Sequence, residues 1–241
     1  MQAEAAVFDK DGTILSLSHW IALMKARAEL IARRYGLPNR LRDELLKAMG
    51  VDPATGRAHA NGAIHLPRRD VEERIARVLA GTLGLPFSET RERVRALFAE
   101  VDAEFPWEAH LKPLPGVREL LTAIREAGGK VAIVTHDSTA PAGRHLRQVG
   151  LYDLVDVIVG LDSVGVPKPA PDGIRRACVL LGISPARAVA VGDSPEDVVA
   201  GKRAGCPLTV GVLTGRGTAE DLSAADCVVN TLEDIEVTPG K

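Results

Sequence analysis

The chain has 241 residues, 30 Lys and Arg against 32 Asp and Glu, a formal net charge of −2 and 3% aromatic residues. That length is too great for a disulfide-stapled mini-protein and suits one large domain or two modest ones. The near-neutral balance leaves no global field for nucleic acid or an anionic membrane, and 46% apolar with 26% charged residues is ordinary globular usage rather than disorder. Cys178, Cys206 and Cys227 form no CxxC pair and have no His at ligand spacing, so they read as reduced thiols and not as a zinc site. No apolar run approaches the ~18–20 residues that cross a bilayer. The stretch MQAEAAVFDKDG carries acids within a short apolar run and does not read as a signal peptide. A cytoplasmic location is the expectation.

The first predicted element is a strand, AAVF (5–8). Residues 17–111 then contain no strand pattern. They hold amphipathic helical patterns at His19–Tyr35, Arg40–Met49, Val71–Leu83 and Glu89–Phe105, broken by Gly36-Leu37-Pro38, by Ala54–Pro67 and by Gly84-Leu85-Pro86. A helix over 116–127 follows Pro115 and stops at Gly128-Gly129. From there strands and helices alternate. The strands are KVAIV (130–134), DVIVG (156–160), AVAVG (188–192), LTVGV (208–212) and CVV (227–229). The helices are 141–149 opening at Pro141, 171–181 opening at Pro171-Asp172, and 195–204 opening at Ser194-Pro195-Glu196. After Asn230 a short helix and a frayed end are expected. Near-continuous apolar strands are those of a parallel sheet buried on both faces. The expected fold is therefore α/β, a doubly wound, Rossmann-like parallel sheet over 1–16 and 112–241, with residues 17–111 inserted as a helical cap domain.

Polar residues collect where the strands end. Asp9 directly follows the first strand, Thr135 follows KVAIV, Lys168 follows DVIVG by a Pro-flanked loop, and Asp193 follows AVAVG. Ligands of open parallel sheets bind at that edge. Taken singly, Asp9 and Asp193 could be helix N-caps, Thr135 a turn residue and Lys168 a solvated charge. Four strands delivering four such residues to one edge point instead to a site. Asp9 and Asp11 sit two apart on an extended segment whose turn at Gly12 can aim both at one volume, and Asp193 and Asp197 add further charge. So many carboxylates need compensation, and hard oxygen donors without His or Cys select Mg²⁺. Mg²⁺, a Lys, a Thr hydroxyl and a spare carboxylate suit phosphoryl transfer, with an aspartyl-phosphate as one route.

FDKDGT (8–13), VAIVTHDS (131–138), VPKPAPDG (166–173) and VAVGDSPEDVVAGKRAG (189–205) resemble, in order and spacing, the four motifs of the haloacid dehalogenase superfamily. The resemblance implies Asp9 as nucleophile and metal ligand, and Asp11 as general acid/base offering its backbone carbonyl to the metal. It implies Thr135 on the phosphoryl oxygens, Lys168 holding Asp9 and the phosphoryl charge, Asp193 as a direct Mg²⁺ ligand and Asp197 in the metal's outer environment. Gly12 and Thr13 would shape the turn around the nucleophile. Asp11 argues against dehalogenation, where the second acid is lacking, and DKDGT departs from the DKTGT of transport ATPases. Thr13 stands where β-phosphoglucomutases more often carry Val. The helical insertion and the tail 211–235 resemble the phosphoglycolate-phosphatase-like branch. His136 occupies a position where Asn is common, so a side-chain contact there would alter substrate preference.

A mobile cap would exclude water and carry recognition groups. Its polar loop holds Arg57, His59, Asn61, His65, Arg68 and Arg69, a set able to hold a second anionic group. The other reading is a solvated interhelical loop whose last two Arg begin the next helix. His19 is a candidate substrate contact, and Ser18 a candidate helix cap. The expectation is a Mg²⁺-dependent phosphatase of a small phosphate monoester, phosphoglycolate-like or a sugar phosphate, acting as monomer or homodimer. The alternatives are a phosphosugar mutase of the β-phosphoglucomutase type and a non-catalytic phospho-accepting regulatory module.

Overall fold

The computed structural model describes residues 3–58, 66 and 68–238. The chain opens with β1 (Ala5–Phe8) and continues through α1 (Ser18–Tyr35), α2 (Asn39–Ala48), α3 (Arg68–Leu83), α4 (Phe87–Glu104) and α5 (Trp107–His110). It then runs through α6 (Val117–Glu126), β2 (Lys130–Val134), α7 (Thr139–Gln148), β3 (Val157–Val159), α8 (Asp172–Leu181), β4 (Ala188–Gly192), α9 (Pro195–Ala204), β5 (Leu208–Val212) and β6 (Cys227–Val229). The tail makes one 3₁₀ turn, Leu232–Asp234. Two compact units result, Met1–Ser16 with Leu111–Lys241, and Leu17–His110. Among the described residues, no helix is long and apolar enough to cross a membrane.

The first unit is the α/β doubly wound sheet that the strand pattern predicts. Its six strands run in the order β3-β2-β1-β4-β5-β6, and every pairing is parallel. Side-chain alternation gives the central strands β1, β2 and β4 two buried faces. Ala5 and Val7 of β1 share one core with Ala132 and Val134 of β2, Ala188 and Ala190 of β4, and the inner faces of α8 and α9. Ala6, Phe8, Val131 and Ile133 are buried on the opposite face. Small residues set the closeness of the helical layer. A Cβ on Gly173 would lie 2.6 Å from Val134 Cγ1, and one on Gly201 would lie 2.7 Å from the Ala190 methyl. The segments leading out of and back into this unit at the insertion are tied together. Ser16 N–H donates to Lys112 O at 2.9 Å and Leu114 N–H to Ile14 O at 2.9 Å.

The second unit is helical. α3 packs on α4, and α1 on α2 and α4. Its core repeats at helical spacing: Met24, Ala28 and Ile31 on α1, Val71, Ile75 and Leu79 on α3, Val94 and Phe98 on α4. Arg27 is buried inside this core. It donates to both oxygens of Asp102 at 2.7 and 2.9 Å and stacks 4.3 Å above the Phe98 ring.

Three local readings are corrected. Ser18 does not cap α1: the N-cap position is Leu17, and the Ser18 hydroxyl donates to His110 O at 3.0 Å. Asp193 is not the cap of α9, because Ser194 is. α7 begins at Thr139, so Pro141 lies within its first turn, where its missing N–H costs no intrahelical bond.

Candidate active site

In a sheet of this order the chain reverses its winding between β1 and β4, and the crevice lies beyond their carboxyl ends. Asp9 and Asp193 follow those two strands. The Asp9 N–H extends the β1 ladder by donating to Val191 O at 2.9 Å, which fixes its backbone beside β4. Lys168 arrives from the loop after β3. Its buried ammonium donates to Asp9 Oδ1 at 2.5 Å and to Val134 O, at the end of β2, at 3.1 Å. It pairs with Asp197 Oδ1 at 2.6 Å. Thr135, the residue just after β2, is 4% exposed. Its hydroxyl oxygen accepts the Asp137 N–H at 3.1 Å, which leaves the hydroxyl proton for another acceptor.

The first turn of α9 positions Asp197. Ser194 and Asp197 form a capping box, in which Asp197 Oδ2 accepts the Ser194 N–H at 3.1 Å and hydroxyl at 2.5 Å. Its two oxygens are thus divided between the helix cap and Lys168. Asp193 sits in a cradle of backbone. Its Oδ1 accepts the Thr13 hydroxyl at 3.3 Å and its Oδ2 accepts the Arg216 N–H at 2.9 Å. Gly12 has φ +96°, and a Cβ there would come 2.5 Å from Asp193 Oδ2. A Cβ on Gly215 would also overlap the Asp193 carboxylate. Glycine is needed at both positions for backbone to close on this acid.

Asp9, Asp193 and Asp197 each offer a carboxylate oxygen within 4.8 Å of the others. Three acids face one ammonium. Burial drives Asp9 well above the usual carboxylate range; Lys168 opposes this, and Asp197, Asp193 and Asp11 reinforce it. Burial and the neighbouring Asp197 push Asp193 up to about 7. Asp197 is held below its ordinary value: burial resists its charge, but Lys168 and the Ser194 hydroxyl outweigh that cost. Lys168 is likewise held above the ordinary lysine value, the attraction of Asp197 and Asp9 overcoming burial. Ionisation is thus least favourable at Asp9 and Asp193, the two acids that burial and their neighbours hold protonated in the absence of further positive charge. A hard divalent cation fits that donor set, and Asp197, already committed through both oxygens, fits a supporting position.

The chain matches the sequence model of haloacid dehalogenase-like hydrolases over residues 3–205. The chain belongs to the haloacid dehalogenase-like hydrolase family. It is 36% identical over 129 residues to a phosphoglycolate phosphatase of Neisseria meningitidis, a match covering 52% of this chain and 54% of that protein. The chain thus spans about half the length of that curated relative. A match at 28% identity to the validoxylamine A 7′-phosphate phosphatase of Streptomyces hygroscopicus subsp. limoneus covers 96% of this chain and 95% of that protein. The crystal structure of a predicted phosphoglycolate phosphatase from Haemophilus somnus 129PT superposes with a TM-score of 0.73 at 20% identity, over 97% of this chain and 96% of that one. It shares the fold.

Within this haloacid dehalogenase-like core the other candidate residues divide. Asp11 lies beside the buried Lys10, whose Nζ is 3.0 Å from Oδ1 and 2.9 Å from Oδ2. Thr13 is fully buried, with its hydroxyl given to Asp193, so it serves the acid and not a ligand directly. His136 is half-buried, and its Nε2 has no hydrogen-bond partner among the described residues. Burial and the charge of Lys168 lower it to about 4, so the ring is neutral at pH 7. In the helical unit His19 is fully buried, with ring centroids 5.4 Å from Trp20 and 6.2 Å from Trp107. Arg57 is exposed. Arg68 and Arg69 open α3, and their charge is partly spent on neighbours: Arg68 on Glu72 at 2.6 Å and Asp102 at 2.5 Å, Arg69 near Glu73 at 3.5 Å. His59, Asn61 and His65 lie outside the described residues.

Several site residues escape the sequence reading. Lys10, Asp137 and His145 form a buried cluster behind Asp11, and Thr214 and Arg216 close the loop after β5. The Thr214 hydroxyl donates to Gly12 O at 2.7 Å, and the Arg216 guanidinium donates to Glu196 at 2.7 Å. The glycines of LTGRG are the available sequence signal, since a Cβ on Gly215 or Gly217 would meet Asp193. Which acid the loop wrapped was not readable.

Proposed function

We propose that the protein is a Mg²⁺-dependent phosphatase of small phosphate monoesters, working through an aspartyl-phosphate on Asp9. The observation that carries the reading is the shared ammonium of Lys168, 2.5 Å from Asp9 and 2.6 Å from Asp197, with Asp193 completing an uncompensated acid cluster. Lys168 occupies Asp9 Oδ1 and leaves Oδ2 as the attacking atom. That oxygen forms a bond to phosphorus as the ester oxygen leaves, and the Asp11 carboxyl gives the departing alkoxide its proton. In the second half-reaction Asp11 takes a proton from water, the water oxygen attacks phosphorus, and the bond to Asp9 breaks to release inorganic phosphate. The Thr135 hydroxyl holds a non-bridging oxygen during both transfers, and the buried positive charge of Lys168, already engaged by Asp9, Asp197 and Val134 O, offsets negative charge at the phosphoryl group without a hydrogen bond of its own.

Asp9 and Asp193, with the backbone carbonyl of Asp11, would hold Mg²⁺. When bound, the ion neutralises charge on the phosphoryl oxygens and keeps Asp9 ionised, as a nucleophile must be. The phosphatase names of the two curated relatives support a phosphate monoester as substrate, phosphoglycolate-like or a sugar phosphate.

Release of phosphate from p-nitrophenyl phosphate tests the reading. Asp9→Asn is expected to keep a cooperative melting transition and lose turnover by at least ~10³-fold; normal turnover would sink the nucleophile assignment. EDTA is expected to inactivate the protein and Mg²⁺ to restore it, and activity that survives thorough chelation would remove the metal from the scheme. Product analysis with a sugar 1-phosphate separates the mutase reading: free phosphate supports hydrolysis, whereas sugar 6-phosphate would replace it.

A further inference from the structure

We propose that Lys10 is a positioning residue that holds Asp11 in register with the loop following β2, an inference that rests on the reading of Asp11 as the general acid/base. Asp9 and Asp11 flank Lys10 in sequence, yet its side chain is fully buried. Its Nζ reaches Asp11 Oδ1 at 3.0 Å and Oδ2 at 2.9 Å, Asp137 Oδ2 at 2.8 Å, and His145 Nδ1 of α7 at 3.3 Å. An ammonium has three protons and no lone pair. Asp11 and His145 are hydrogen-bonded to it and Asp137 pairs with it as an ion, so that His145 must accept through Nδ1, which puts its ring proton on Nε2. This ammonium is fully buried among those three groups and is not exposed to a substrate. Lys10 therefore acts through Asp11 and not on phosphate.

The partners tie two loops together. Asp11 lies in the turn after β1. Asp137 lies in the turn after β2, where its N–H donates to the Thr135 hydroxyl oxygen at 3.1 Å. One buried cation thus spans the carboxyl proposed to move protons and the turn that carries the proposed phosphoryl-binding hydroxyl. Misplacing an acid/base by an ångström costs turnover far more than binding.

Stopped-flow turnover of p-nitrophenyl phosphate tests this, because p-nitrophenolate leaves without a proton and only the second half-reaction then needs Asp11. Lys10→Met is expected to lower kcat about 100-fold with KM not raised, and to release a burst of about one p-nitrophenolate per protein as the aspartyl-phosphate accumulates. A folded variant with kcat within about twofold of wild type, or one whose loss appears in KM without a burst, overturns the inference. Should Lys10→Met lack a cooperative melt, Asp137→Asn decides: it keeps the shape and removes one charge, and a fall in kcat of about fivefold with KM not raised is expected. Unchanged kcat in that variant overturns the inference. Asp11→Asn with wild-type turnover would instead overturn the acid/base reading beneath it, whatever the Lys10 variants do.

Discussion

Asp193→Asn should stabilise the metal-free protein at alkaline pH while removing its response to Mg²⁺. In the folded chain Asp193 titrates at about 7, against an ordinary 3.8. The folded state therefore holds a proton that the unfolded state has released, and stability falls as pH rises from 3.8 through about 7, then levels off. A span of about three pH units gives on the order of 4 kcal/mol well above pH 7, more than half of which develops between pH 5 and 8.5. The asparagine introduced there can keep both local hydrogen bonds, its carbonyl accepting from Arg216 N–H and its amide donating to the Thr13 hydroxyl oxygen. Urea denaturation in EDTA at pH 5 and 8.5 measures the effect. Asp193→Asn should exceed wild type by ~2–4 kcal/mol at pH 8.5 and by clearly less at pH 5. Millimolar Mg²⁺ should stabilise wild type most at pH 8.5 and leave the variant unmoved. A variant less stable than wild type at pH 8.5 in EDTA, or an equal difference at both pH values, would refute the argument that this carboxylate is strained by burial and by Asp197.

Gly12→Ala should lower stability by at least ~2 kcal/mol and turnover with it, because φ is +96° and the new methyl would meet the Asp193 carboxylate. Thermal melting and p-nitrophenyl phosphate turnover check it, and a wild-type Tm would contradict it. In the helical unit, Arg27→Met should cost about 3 kcal/mol in urea denaturation by removing a buried bidentate partner of Asp102. Adding Asp102→Asn to that variant should recover part of the loss, since residue 102 then no longer carries a charge beside the gap.

Residues that lie at strand ends were legible because period and position suffice. The runs AAVF, KVAIV, AVAVG, LTVGV and CVV became strands over the predicted residues, and DVIVG lost one residue at each end. A parallel sheet brings its carboxyl ends to one edge, so Asp9, Thr135, Lys168 and Asp193 were predictable as neighbours without knowing any distance. Helices α1 to α4 fell on the predicted patterns within a few residues, because their apolar spacing is that of one buried face. Ser18 and Asp193 misled as caps. Each is a good N-cap type next to a helix start, and composition does not say whether the side chain turns to the helix or away from it.

The sequence by itself determined the fold class, the chain order of the motifs and the edge at which chemistry collects, since these depend on periodicity and on the handedness of parallel connections. Only the tertiary structure decided how the charges are shared. Lys168 stands between Asp9 and Asp197, leaving Asp193 to the backbone of Gly215 and Arg216, and Lys10 is turned inward to Asp137 and His145, residues more than 120 positions away. Those assignments depend on side-chain directions and burial within ångströms, and electrostatic energies change steeply over that range while sequence spacing does not.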